Sequence, residues 1–266
     1  MEKWNTIKIE LDTDGNETRR YPWRKCNVDS KGNPLEEIEL DCEGNIICKR
    51  FYRYFEDETI EVYIEYDAFE ELVERHHYTK NESGETVKVV LEYENGLKIT
   101  KDYSYTDLGN SYKAVVRNED GEVTGYEVYV QNEEGQTIEE IELDENNNEL
   151  IKFQKSYGGN GDLKIEKEYR DGNLYQGERH EYDANGNVTK TTLRNYIDNY
   201  EVVEIYEYDR NNNLIRNSSH QDGMLVFENH RSYDANSKLK FEKVFQMDIW
   251  DGSILTNIHL IHEWQN

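Results

Sequence analysis

The sequence predicts an all-β fold, a long antiparallel meander of about twenty short strands forming one coiled sheet of hairpin repeats. Three observations carry this expectation. Apolar residues alternate with polar ones over short runs. Acidic turn phrases recur at a near-constant interval. Pro occurs only at Pro22 and Pro34, so no Pro-rich linker divides the chain.

The segment TVKVVLEYENGLKITKDYSY, residues 86–105, shows the alternation and its turn. Val87, Val89, Leu91 and Tyr93 share one parity, and Leu97, Ile99, Tyr103 and Tyr105 continue it after Glu94-Asn95-Gly96. A three-residue turn with a left-handed Gly sets Tyr93 opposite Leu97 and Leu91 opposite Ile99. A two-residue turn would send the two apolar sets to opposite faces.

A longer phrase recurs at other corners. Tyr182 precedes DANGN and then Val188, Tyr208 precedes DRNNN and then Leu214, and Tyr233 precedes DANSK and then Leu239. Leu11, Leu40 and Leu143 open the related LDTDGN, LDCEGN and LDENNN. Each five-residue loop returns a residue opposite the one before it, with Asp bonding nearby amides and Gly or Asn accepting positive φ. DAFEE, after Tyr66 and before Leu72, has neither Gly nor Asn, so a different local backbone is expected there.

The interval argues for duplication. Gly84, Gly96, Gly109, Gly121 and Gly135 are 12, 13, 12 and 14 residues apart, and Asp183 to Asp209 is 26. The unit is a hairpin closed by an Asp loop at one end and by a short turn such as ENG, RDG (170–172) or QDG (221–223) at the other. One continuous array over 1–266 follows, with repeats over 31–244 and cap regions at 1–30 and 245–266. Trp4, Trp23, Trp250 and Trp264 all fall in those end regions, where large aromatics suit the covering of an exposed core end.

Composition narrows the function classes. The 57 Asp and Glu against 31 Lys and Arg give a formal charge of -26, which disfavours nucleic acid and anionic membrane as partners and favours basic proteins. The three cysteines, Cys26, Cys42 and Cys48, form no disulfide framework and no zinc-type spacing. MEKWNTIKIELD has no apolar run of a secretory signal, and a cytoplasmic setting is expected.

DTDGNE looks like a calcium loop but fails as an EF-hand. Counted from Asp12, the required Gly falls on Glu17 and the closing Glu on Trp23. GGNGD (158–162) lacks the Lys-Ser/Thr of a phosphate loop. His76 and His77 are adjacent and His259 and His262 are three apart, so on strands the members of each pair point to opposite faces. No enzymatic activity, catalytic residue, metal or cofactor is expected. RRYPWRK (19–25) and KRFYR (49–53) are basic islands that either pair with acidic neighbours or form a docking patch.

YDANGNVTKTT, YDRNNNLIRN and YDANSKLKFEK resemble the YD repeats of RHS-type proteins, whose unit reads Tyr-Asp-x-x-Gly-x-Leu. The resemblance is clearest from Leu143 to Val244 and degenerate but periodic from Ile7 to Val130. EYENGLKI is similar, more weakly, to MORN-like repeats of antitoxin-type proteins. The resemblance implies a strand-loop-strand fold and, for long arrays of that family, shells that enclose a C-terminal toxin. Within these residues there is neither a toxin-like C-terminal domain nor an autoproteolytic signature. A curved ribbon or partly closed spiral is therefore expected, Tyr-rich and apolar on its inner side.

The functional expectation is a non-enzymatic protein-binding module, an acidic immunity or antitoxin-type protein that covers the active site of a basic toxin. Glu61, Tyr63 and Glu65, with Glu140 and Glu142, are the candidate partner-binding residues, expected on an outward face. A structural scaffold that self-associates through open edge strands, and a nucleic-acid mimic, are the alternatives.

Overall fold

The computed structural model of the chain describes residues 2–105, 111–248 and 253–265, and these form twenty strands in an uninterrupted antiparallel meander. The first five are β1 (Glu2–Leu11), β2 (Glu17–Val28), β3 (Pro34–Leu40), β4 (Ile46–Tyr54) and β5 (Ile60–Asp67). Then come β6 (Leu72–Lys80), β7 (Thr86–Tyr93), β8 (Lys98–Tyr105), β9 (Ser111–Arg117) and β10 (Val123–Gln131). The second half holds β11 (Thr137–Asp144), β12 (Glu149–Tyr157), β13 (Leu163–Arg170), β14 (Asn173–Tyr182) and β15 (Val188–Asn195). Last are β16 (Tyr200–Tyr208), β17 (Leu214–Gln221), β18 (Met224–Tyr233), β19 (Leu239–Met247) and β20 (Ile254–Gln265).

The turn chemistry explains the recurring phrase letter by letter. Asp183 N–H donates to Asn187 O at 2.9 Å and Gly186 N–H to Asp183 O at 3.2 Å, so the turn proper is Ala184-Asn185-Gly186, with Gly186 at φ +85. The Asp183 Oδ1 accepts from the backbone of Asn185 at 2.8 Å and of Asn187 at 2.9 Å, while Oδ2 accepts from Asn187 Nδ2 at 2.9 Å. These bonds, the Asn187 side chain foremost, hold the Asp183 carboxyl below its ordinary pKa. ENG is the same device without the Asp: Tyr93 N–H reaches Leu97 O at 3.0 Å, Gly96 is left-handed, and Leu91 faces Ile99 as the parity requires.

DAFEE corrects one expectation. Its backbone does not differ. Asp67 N–H donates to Glu71 O and Glu70 N–H to Asp67 O as in the other loops, and Glu70 itself takes φ +64. The turn is imposed by the flanking strands, and a residue with a Cβ is forced into a conformation Gly would accept freely.

Two features lie beyond the parity argument. Beside each Asp loop the register slips by one residue: Tyr182 faces Val188 but Glu181 faces Lys190, a bulge that raises local twist. At two of the four Tyr-Asp corners the Tyr also ties its hairpin to the one before. Tyr182 donates to Leu163 O at 2.7 Å and Tyr233 to Leu214 O at 2.9 Å, each reaching a carbonyl at the start of the preceding strand.

Twist accumulated over so many bulged hairpins closes the sheet. β1 pairs with β20 from Lys3↔Gln265 to Glu10↔Ile258, so the architecture is a closed twenty-stranded barrel and not an open coiled ribbon. The end segments expected to cap an open array pair with one another instead. At this seam Trp4 and Trp264 lie 6.0 Å apart, Thr6 Oγ1 and His262 Nδ1 are hydrogen-bonded at 3.0 Å, and Trp264 Nε1 donates to Leu239 O at 2.9 Å. Trp23 donates to Glu39 Oε1 at 3.1 Å, and Trp250 lies outside the described residues. Closure leaves no edge strand among the described residues, which removes the basis for edge-to-edge self-association.

The barrel is hollow. Among the described residues the backbone of each strand comes close only to its two sheet neighbours. The accessible surface is 16109 Å², against about 12,000 Å² for a compact monomer of this mass. Side chains on the concave face of a closed sheet converge, so the more buried row is the inner one. That row includes Thr6, Cys26, Cys48, Val89, Ala114, Glu127, Thr191, Asn229 and Leu260, all buried and joined by cross-strand register around the ring.

Candidate binding surface on the inner wall

Alternation places Glu, Tyr and a few cations on the inner row. The basic islands are largely consumed there and at its margins. Arg50 is 3.2 Å from Glu65 and 3.5 Å from Glu39, Arg24 is 3.6 Å from Glu39, and Arg20 pairs with Glu17 at 2.8 Å. The pairing reading of these islands therefore describes them better than a free basic patch.

The five residues expected on an outward face divide into two groups. Tyr63 and Glu65 lie on the inner wall, since Tyr63 faces Tyr52 and His76 while Glu65 faces Arg50 and Glu74. Tyr63 donates to Glu65, whose carboxylate also takes both Arg50 nitrogens. Glu61 sits at the bulge after the β4–β5 turn and is held by Arg53 at 2.7 Å. This group is neutralised in place. Glu140 and Glu142 are also inner, but their surroundings are acidic.

Around Glu140 and Glu142, neighbouring strands set like charges face to face. Glu127 on β10 is directly opposite Glu142 on β11, and Glu166 on β13 is directly opposite Glu178 on β14. Lys101 holds Glu127 at 2.5 Å, Lys155 bridges Glu140 at 3.0 Å and Glu166 at 3.4 Å, and Arg170 holds Glu168 at 2.5 Å. Glu142 has no ion-pair partner among the described residues. Burial, and then Glu127, raise its carboxyl pKa. Burial likewise raises Glu178, which His180 at 3.7 Å only partly offsets. Facing like charges destabilise a sheet, so this stretch is strained electrostatically.

Aromatic rings line the adjoining wall. Tyr112 and Tyr129 stack at 4.5 Å with planes 10° apart, and Tyr105 lies 5.1 Å from Tyr112. Tyr129 donates to Glu127 Oε2 at 2.9 Å. Burial, with the nearby Glu127 carboxylate, pushes the Tyr103 and Tyr129 hydroxyls up, so both are neutral donors. Carboxylates beside aromatic rings are the chemistry that receives guanidinium and ammonium groups.

Other motifs resolve into structure. GGNGD is the turn between β12 and β13, with Gly158 N–H on Asp162 O at 2.7 Å, beside an open groove of about 960 Å³. His76 and His77 face opposite sides through Leu91 and Val90. No group of three metal-ligating side chains occurs among the described residues. Among the described residues no helix is long and apolar enough to cross a membrane. The outer row carries Arg75, Asp102, Lys113, Lys167, Arg179 and Lys243 well within their strands. On a lipid-facing barrel wall a charged residue of this kind costs up to about 2–4 kcal/mol near the midplane.

No family model matches the chain, and no curated protein matches it. Among solved structures it is similar to a porin-like protein from Bacteroides uniformis ATCC 8492, with a TM-score of 0.44 and 11% identity over 99% of this chain and 97% of that one. It is also similar to TcdB2-TccC3, with a TM-score of 0.36 and 15% identity over 92% of this chain and 16% of that one. A Photorhabdus luminescens Tc holotoxin pore gives a TM-score of 0.31 and 15% identity over 90% of this chain and 17% of that chain. The chain thus spans only a small part of the toxin chains it matches. At these scores none of the likenesses decides fold or function.

Proposed function

We propose that this chain is a non-enzymatic protein-binding module whose inner wall receives cationic groups of a basic protein partner. The most concrete form is an acidic immunity or antitoxin-type protein that neutralises a basic toxin by occupying its active site. The observation that carries the reading is the pair of facing carboxylates, Glu127 against Glu142 and Glu166 against Glu178, beside the Tyr112–Tyr129 stack. A sheet that needed only solubility would place its acids outward and pair them. Here they are set opposite one another on the more enclosed row, and Glu142 is left without a cation among the described residues, so a bound Lys or Arg would relieve the repulsion.

The test is capture of the tagged chain's partner from its native lysate, followed by titration of the purified pair. Glu127→Gln/Glu142→Gln is expected to weaken binding, and affinity is expected to fall steeply between about 0.05 M and about 0.5 M NaCl. An affinity that ignores both changes would refute electrostatic capture at this wall.

A second reading is favoured by closure itself. A hollow ring with no edge strand suits a small container better than an open scaffold. It predicts that a captured partner is protected from protease while bound, whereas a partner gripped only from outside is cut.

A further inference from the structure

The two mouths of the barrel are chemically unlike. Loops after odd-numbered strands gather at one end, called here the front mouth, and loops after even-numbered strands at the rear. The front loops read DTDGN (12–16), DCEGN (41–45), DAFEE (67–71), ENG (94–96), NEDGE (118–122) and ENNN (145–148), then DG, YIDN and DG. None contains Lys or Arg. The rear loops are acidic too, as in FEDET (55–59), NESGE (81–85) and NEEGQ (132–136), but they include Lys31, Arg210 and Lys238, so the mouths differ less in charge than in their apolar side chains. Glu70 is held by Lys49 at 2.5 Å, but Asp14, Glu43, Glu94, Glu119 and Glu145 have no ion-pair partner among the described residues.

Exposed apolar side chains follow the same division. Phe69 is 84% exposed, Ile197 63%, Met224 56% and Leu255 56%, and all sit on front loops or the strand residues beside them, as do Leu97 and Leu150. Toward the rear the comparable residues are Ile60, Tyr105 and Ile165. Solubility explains acidic loops but not large apolar side chains set among them, and such a combination marks a surface that is covered when the protein works.

We infer that the front mouth is the docking face for a basic protein whose contacting surface also presents large apolar side chains. Charge complementarity selects this occupant. A second copy docked by the same face would bring one net acidic rim against another, and an anionic membrane would be repelled in the same way. The inference rests on the basic-partner reading above and adds where that partner seats and what besides charge it must carry. The partner docks end-on, with apolar anchors in the rim and cationic groups directed toward the inner wall.

Two fluorescein-labelled peptides of equal length and charge test it, one alternating Arg with Leu and the other Arg with Ser, titrated against the full chain by fluorescence anisotropy. The Arg-Leu peptide is expected to bind about tenfold more tightly, which about 60 Å² of apolar surface removed from water supplies. Phe69→Ser/Ile197→Ser/Met224→Ser, all exposed positions, should abolish that preference, and Ile60→Ser/Ile165→Ser at the rear should leave it intact. Equal binding of the two peptides by the wild-type chain, which needs no variant, overturns the docking face while the basic-partner reading stands. So does a preference that survives the front substitutions in a folded variant. Failure of both peptides to bind at low salt overturns the basic-partner reading, and this inference with it.

Discussion

Closure of the barrel should depend on one carboxylate. Glu242 on β19 accepts from Asn229 Nδ2 at 2.7 Å and Arg231 Nε at 3.0 Å, and lies 3.1 Å from His262 Nε2 on β20. Thr6 on β1 bonds the other ring nitrogen of His262, so the cluster ties four strands across the seam. Burial opposes ionisation of Glu242, but His262, Asn229 and Arg231 outweigh it and hold the carboxyl at about 2. Measured from an ordinary Glu at 4.5, that depression is worth about 3 kcal/mol near neutral pH. Because the folded pKa is the lower one, this stabilisation is complete above about pH 5 and is lost as pH falls from there through about 2. Glu242→Gln should therefore lower Tm by about 5 °C near neutral pH, on the scale expected for a chain this long. Thermal unfolding followed by circular dichroism at two pH values checks it. Near pH 3 the free-energy gap between wild type and variant should shrink to about 1 kcal/mol, because the wild-type chain has by then lost most of the benefit. A gap equal at both pH values would refute the assignment of this stability to the ionised carboxylate.

Three further outcomes follow from the geometry. Ser237, at φ +60 in DANSK, occupies the place Gly186 holds in DANGN, so Ser237→Gly should raise stability by about 1 kcal/mol, whereas Gly186→Val should lower it by about 1–2 kcal/mol, both read by urea titration. Tyr182→Phe removes the hydroxyl that donates to Leu163 O and should cost about 1 kcal/mol, with hydrogen exchange quickening at the start of β13. Glu142→Gln removes a carboxylate whose pKa is raised, a cost present above that pKa and absent once pH falls below the ordinary Glu value. It should therefore raise Tm by about 2 °C near neutral pH and change nothing near pH 3, while weakening partner binding.

The candidate wall was only partly legible in the sequence. Parity placed Glu140 and Glu142 on one face and Tyr63 and Glu65 on one face, and the register agrees. It did not say that both faces are the inner one, because a strand's alternation is the same whichever side curls inward. Nor did it separate the neutralised Glu65 from the unpaired Glu142. That difference depends on Arg50 standing opposite one and Glu127 opposite the other, on strands whose neighbours are set by pairing. The Tyr-to-carbonyl ties of Tyr182 and Tyr233 use the Tyr of the motif, but Tyr66 and Tyr208 make none, and the acceptor belongs to the preceding hairpin and leaves no mark near the motif.

The sequence by itself determined the hairpins, because a turn is decided within a few residues: Asp caps the amides, Gly or its substitute turns left-handed, and period two fixes what faces what. Only the tertiary structure decided that the twentieth strand meets the first. The join between residues 3–10 and 258–265 uses ordinary ladder bonds, and whether the ends arrive together depends on twist summed over every bulge between them. A sum of small rotations has no local signature, so closure, the hollow interior and the two unlike mouths became visible only in three dimensions.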